Sequence, residues 1–169
     1  GDEPFADRAG SGMHLHASLA DASGRNLFAD IGDDLAPRLR HAIAGVQQTM
    51  AESMLVFAPN LNSWRRFARN SYAPTAPTWV RNNRSVAIRV PAGSPANRHF
   101  EHRSPSVDAN HYLVAATVLA SMRHGIRNRL QPDAEASSYS SGDSGVLPPD
   151  WRSAIERAAG SEFIKDALG

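Results

Sequence analysis

Residues 13–19, MHLHASL, follow the glycines Gly10 and Gly12 and alternate apolar with polar at every position. Such a period fits an extended strand, in which successive side chains point to opposite faces. Met13, Leu15, Ala17 and Leu19 then share a core face, and His14, His16 and Ser18 share the other. Two further short alternations follow. SVAIRV sets Val86, Ile88 and Val90 opposite Arg89, and RHFEHR sets His99, Glu101 and Arg103 opposite Arg98, Phe100 and His102. A one-residue slip in any of these would turn its apolar set to solvent, so their register is specified by the pattern itself.

Helical spacing governs the segments between and after them. Leu35, Leu39, Ile43, Val46, Met50 and Met54 recur through residues 34–57, with Asp34 as the expected cap and Pro37 in the tolerant first turn. Residues 109–130 read as a second helix capped by Asp108, apolar nearly all round its middle and so expected to be buried. A last helical stretch starts at Asp150, breaks at Gly160 and resumes with Ser161 as a cap. Residues 58–83, rich in Pro, Asn, Ser and Arg, and the polar residues 131–149 read as long loops. Strands and helices do not alternate as in βαβ units, so the expectation is one α+β domain, an antiparallel sheet with flanking helices. A chain of 169 residues, 41% hydrophobic, suffices for such a core.

Several function classes drop out. No apolar run reaches the roughly 18 residues of a membrane span, and the N-terminus lacks a basic-then-apolar leader. Cysteine is absent, which removes disulfides and thiolate sites and favours a cytoplasmic location. A net charge of +1 gives no global field for nucleic acid.

The local charge distribution is more informative. No acidic residue lies between Glu52 and Glu101, while Arg65, Arg66, Arg69, Arg81, Arg84, Arg89 and Arg98 fall in that interval. Arginine presents a planar fork to phosphate and carboxylate that lysine lacks. An arginine-biased genome explains the single lysine, Lys165, but not the missing acids. His14 and Glu101 on one sheet face would suit a divalent cation, Mg²⁺ or Mn²⁺. Each has a plainer reading, His14 as a hydrogen-bonded strand residue and Glu101 as the partner of Arg103. The residues alone support an anion site, with or without a metal.

Four ordered motifs, GSGMHLHASL, APNLNSWRRF, NNRSVAIRVP and FEHRSPSVDANHYL, resemble those of the glutamine synthetase catalytic domain. SYAPTAPTW together with the last motif is most similar to the γ-glutamylpolyamine (γ-glutamylputrescine) synthetase branch. The resemblance runs from about Phe5 to Leu168 and covers the C-terminal part of such an enzyme, so residues 1–169 are expected to be part of a longer catalytic domain. It implies a ligase that phosphorylates the γ-carboxylate of glutamate with ATP and then forms a γ-glutamyl amide with an amine. By the same resemblance, His14 and Glu101 match metal ligands, and His16 and Ser18 line the ATP site. Gly10 contacts glutamate, Arg66 and Arg103 hold its carboxylates, and Arg84 and Arg89 face the transferring phosphoryl group. The further metal ligands and one wall of the site would come from upstream sequence and a neighbouring subunit of a homo-oligomeric ring.

Three departures qualify that pattern. Ala9 stands where the family has Asn, and His99 where glutamine synthetases have an ATP-contacting arginine. Tyr72 falls where ammonia-using enzymes place a flap glutamate; an aromatic hydroxyl there suits an organic amine better than ammonium. The alternatives are an ordinary glutamine synthetase using ammonia, a non-catalytic paralogue and a nucleic-acid module. The paralogue predicts loss of the metal and phosphate residues, yet His14, Glu101, Arg84, Arg89 and Arg103 are all present. The nucleic-acid module predicts a more basic chain.

Overall fold

In the computed structural model, which describes residues 11–67, 73–136 and 146–169, residues 13–19 alternate half-buried and exposed without a break. Strand β1 (Leu15–Ala17) occupies the middle of this stretch. Single bridges from Gly12 to Ser106 and from Ala20 to Asn26 extend it at either end. β4 (Phe100–His102) lies antiparallel on β1 and antiparallel on β3 (Ile88–Val90). Glu101, at the centre of β4, therefore has His16 opposite it on one side and Arg89 on the other.

These two pairs are antiparallel as expected. The sheet as a whole is mixed, because β2 (Trp79–Arg81) adds a parallel strand beyond β3, giving the order β1-β4-β3-β2. β2 falls inside the segment read from sequence as a loop, which also contains a 3₁₀ helix at Leu61–Phe67. A parallel return normally needs a dozen or more residues, but here the chain turns back within residues 82–87. Asn82 adopts φ +64 and donates its N–H to Val90 O at 3.0 Å, a left-handed conformation that Asn tolerates. Asn83 Oδ1 then accepts from the Ser85 backbone and hydroxyl, both at 2.9 Å, closing an Asx turn.

Helix α1 (Pro37–Phe57) buries Leu39, Ile43, Val46, Met50, Met54 and Phe57, and shares one core with Ile88, Val90 and Phe100 of the sheet. Asp34 does not cap it. The cap is Ala36, with no side-chain bond; Pro37 sets the first turn, and Asp34 instead pairs its backbone with Ile31. Helix α2 (His111–Arg127) is capped by Asn110, whose side chain accepts from Tyr112 N and Leu113 N, rather than by Asp108. Nor is α2 buried all round: Val114, Thr117, Val118, Ser121 and Met122 face inward, whereas Tyr112, Leu113 and Leu119 are exposed. Asp150 and Ser161 do cap α3 (Trp151–Ala159) and α4 (Glu162–Leu168), as the spacing indicates.

α1 and α2 cross at backbone distance. A Cβ on Gly45 would stand 2.1 Å from Ser121 O, and one on Gly125 would stand 2.0 Å from His41 O. Beside this crossing, Thr49 Oγ1 and Ser121 Oγ share a hydrogen bond of 2.7 Å. The atoms in the way are main-chain, so no side chain can move aside. Gly125→Ala and Gly45→Ala are each expected to cost about 1–3 kcal/mol. In thermal or urea denaturation, Gly160→Ala should behave as wild type, because its new Cβ would meet nothing closer than 3.6 Å.

Candidate functional site

The polar face of the sheet gathers around one carboxylate. Glu101 is 3% exposed, yet four basic side chains reach toward it. Arg103 Nη1 donates to Oε1 at 2.7 Å, Arg89 Nη1 donates to Oε2 at 3.0 Å, His14 Nδ1 lies 2.8 Å from Oε1, and His16 Nε2 lies at 4.0 Å. Strand register explains the set. His16 and Arg89 stand directly across from Glu101, His14 and Arg103 are each two residues along the same face, and period two brings them all to one side.

The protonation states follow from these contacts. Burial is the largest influence on Glu101 and pushes its pKa up, but Arg103, the Arg89 bond and His14 together outweigh it and hold the carboxyl below its usual range. His14 is held below the ordinary imidazole range, first by its partial burial and then by the Arg103 guanidinium. At neutral pH the Glu101 carboxylate therefore stands between two guanidinium groups and the neutral imidazole of His14. A His14 Nδ1–H bonded to Glu101 assigns the free lone pair to Nε2. Arg89 Nε and Arg103 Nε are buried donors with no hydrogen-bond partner among the described residues. Two guanidinium groups set against one carboxylate suit an anionic ligand.

Next to this cluster an open cleft of about 550 Å³ is lined by His16, Ser18, Asn26, Asn97 and His99, among others. The His16 and His99 rings lie 5.1 Å apart at 48°. His16 and Ser18 are where the sequence puts them, on the same face as His14. Asn26 and Asn97 were not singled out by the sequence; the only local sign is turn chemistry in DASGRN and in SPAN.

The acid-free stretch divides in two. Arg89 joins the cluster. Arg98 pairs with Asp30 and Arg81 with Glu135, acids from outside the interval, so these two arginines hold the fold together. Arg66 is buried against Gly12, donating to Pro105 O at 3.1 Å and Ser106 Oγ at 3.3 Å. A Cβ on Gly12 would meet its Nη2 at 2.5 Å, so only glycine lets Arg66 lie there. Arg84 is exposed on the β2–β3 turn. Gly10, Tyr72, Ala9 and Arg69 lie outside the described residues. His14 and Glu101 offer a neutral imidazole and an ionised carboxylate, donors that Mg²⁺ or Mn²⁺ accepts. No third His, Asp or Glu joins them in a metal-sized group among the described residues.

On the opposite face of β4, His102 is fully buried against Phe57, ring centroids 4.6 Å apart, with neither ring nitrogen bonded among the described residues. Burial pushes its pKa down to about 3, with His14 adding to the effect. Between pH 6.5 and about 3 the unfolded chain therefore binds a proton that the folded chain refuses, and stability falls as pH falls. From pH 7.5 to 5.5 this residue alone should remove about 1.4 kcal/mol from the unfolding free energy. Urea denaturation of His102→Leu should show a pH dependence smaller by that amount.

Comparison with known proteins supplies the frame for this geometry. The family model described as glutamine synthetase, catalytic domain, matches residues 2–169. Gamma-glutamylputrescine synthetase PuuA of Escherichia coli is 42% identical over 128 residues, 76% of this chain and 27% of the relative. Gamma-glutamylethanolamide synthetase GlnA4 of Streptomyces coelicolor is 38% identical over 166 residues, 98% of this chain and 36% of the relative. Glutamine synthetases also match, at 37% identity or below. The solved structure of GmaS without ligand superposes with a TM-score of 0.86 at 28% identity, covering 99% of this chain and 40% of that one. The chain thus spans roughly a third of the length of these curated relatives. No helix among the described residues is long and apolar enough to cross a membrane.

Proposed function

Because the chain belongs to the glutamine synthetase catalytic-domain family, we propose that it supplies the nucleotide and phosphoryl-transfer wall of a ligase joining the γ-carboxylate of glutamate to an organic amine. The observation that carries this reading is the Glu101 cluster: two guanidinium groups fixed by one buried carboxylate beside an open cleft. In the first step a γ-carboxylate oxygen of glutamate attacks the γ-phosphorus of ATP, ADP leaves, and γ-glutamyl phosphate forms. In the second, the amine attacks the acyl carbon, phosphate leaves, and the amine gives up a proton.

Residue roles are carried over from the family resemblance. His16 and Ser18 line the part of the cleft that takes ATP. Arg89 and Arg84 offer positive charge to the transferring phosphoryl group, where charge develops in the transition state. Arg103 and Arg66 hold the glutamate carboxylates, with Gly10 and Tyr72 contributing at the substrate and amine ends. His14, through Nε2, and Glu101 would hold Mg²⁺ or Mn²⁺, together with ligands from elsewhere in the full-length protein. A bound divalent cation would neutralise phosphate charge as the phosphoryl group transfers. Glu101 also acts before any ligand arrives, because it orients both arginines at once and so lowers the cost of ordering them on an anion.

The choice of an organic amine over ammonia follows from the aromatic Tyr72 and from the relatives whose names specify putrescine and ethanolamide. The full-length protein, assayed with ATP, Mg²⁺, glutamate and ammonia, putrescine, spermine or ethanolamine in turn, should give kcat/KM for one organic amine at least about tenfold above that for ammonia. A preference for ammonia would overturn the amine assignment, and absence of any ATP-dependent γ-glutamyl amide would overturn the ligase reading. In the same assay Glu101→Gln should raise the Mg²⁺ or Mn²⁺ concentration needed for half-maximal rate by about tenfold or more.

A further inference from the structure

Two lips bound the cleft, and neither exposed turn carries a large apolar side chain. One is the hairpin that turns between Ala20 and Asn26, in which residues 20–25 are exposed or half-buried. The other is the segment from the 3₁₀ turn Pro95–Asn97 to His99, exposed or half-buried throughout. Phe28 and Phe100 pack at the base of the two lips with ring centroids 6.4 Å apart, and beyond them polar bonds between segments about 70 residues apart join the exposed turns.

Two such bonds are present. Asn26 Nδ2 donates to Ala96 O at 2.9 Å and to Arg98 O at 2.7 Å, crossing from one lip to the other. Its Oδ1 accepts from Phe28 N at 2.9 Å, which fixes the side-chain orientation. Behind this, Arg98 is paired through Nε and Nη2 with both oxygens of Asp30, and its Nη1 donates to Pro91 O at 2.9 Å. The Arg98 and Asp30 side chains are only 13% and 10% exposed. A pair this far out of water, bidentate and bonded to a third segment, holds its geometry better than a surface pair would.

We propose that Asn26 and the Asp30–Arg98 pair form a latch that sets the width of the cleft and so positions the nucleotide bound in it. The proposal rests on the nucleotide reading given above, and Asp30 and Arg98 act as positioning residues, since neither lines the cleft. Asn26 spends both donors on the opposing lip, so Asn26→Asp sets acceptor against acceptor at two carbonyls without changing the size of the side chain. Asp30→Asn removes the charge of the Asp30–Arg98 pair, and Asp30→Glu keeps it.

In the full-length protein, ADP binding by titration calorimetry and steady-state kinetics should separate the latch from a general effect on stability. Asn26→Asp and Asp30→Asn are each expected to weaken ADP binding and raise the KM for ATP by about tenfold or more, as misplacement of a binding wall does. The KM for glutamate should stay within about twofold, and Asp30→Glu should recover most of the lost affinity. Two folded variants, with cooperative melts like that of wild type, that bind ADP within about twofold of it would overturn the latch. If Asn26→Asp fails to fold, the Asp30→Asn and Asp30→Glu pair decides the same question. A wild-type protein that binds no ADP would overturn the nucleotide reading of the cleft, and the latch with it.

Discussion

A single buried carboxylate organises the polar face of the sheet. Glu101 sits on the central pair of the sheet, and its two oxygens are divided between Arg89 on one neighbouring strand and Arg103 just past the end of its own, with His14, just before the other neighbouring strand, joining at Oε1. Removing a carboxylate from water is costly unless paired and hydrogen-bonded partners meet it. That requirement fixes three strands relative to one another more narrowly than their three-residue ladders would. The same charge keeps two arginines apart and aimed, so the guanidinium pair is ordered without any ligand.

The helical layer works differently. α1 and α2 meet through glycines and small hydroxyl side chains, and the sheet packs on α1 through Met50, Met54 and Phe57. His102 belongs to this apolar side although it adjoins Glu101 in sequence. β4 thus carries an ionised group on one face and a neutral, fully buried imidazole on the other. Strand alternation alone separates two opposite electrostatic environments across adjacent residues.

Much of this was legible in residues that act locally. The period-two stretches gave the face shared by His14, His16, Glu101 and Arg103, and the caps at Asp150 and Ser161 were read from their place before apolar helical runs. The caps at Asp34 and Asp108 failed because a nearby competitor won: Pro37 starts α1 without a side-chain cap, and Asn110 stands closer to the first turn of α2. β2 was invisible because three residues paired in parallel carry no periodic signal, and its outer side is held by the distant chain, Trp79 Nε1 donating to Asp133 O and Arg81 pairing with Glu135. The arginines of the acid-free interval have partners of two kinds. Arg89 bonds Glu101 on the adjacent strand, whereas Arg81 and Arg98 find their acids 54 and 68 residues away, a distance that composition cannot anticipate.

The Gly45–Gly125 crossing has a bearing on how such a chain can vary. Most helix contacts tolerate drift because a change on one side can be absorbed by a rotamer on the other. Here both sides are main chain, so there is nothing to adjust, and a methyl group gained at either position cannot be compensated by its partner, which is already as small as a residue can be. The two positions are therefore locked independently rather than as a pair. Sequence change in this layer is channelled to the outward face of α2, where Leu113, Ala116 and Leu119 meet no such limit within the described residues.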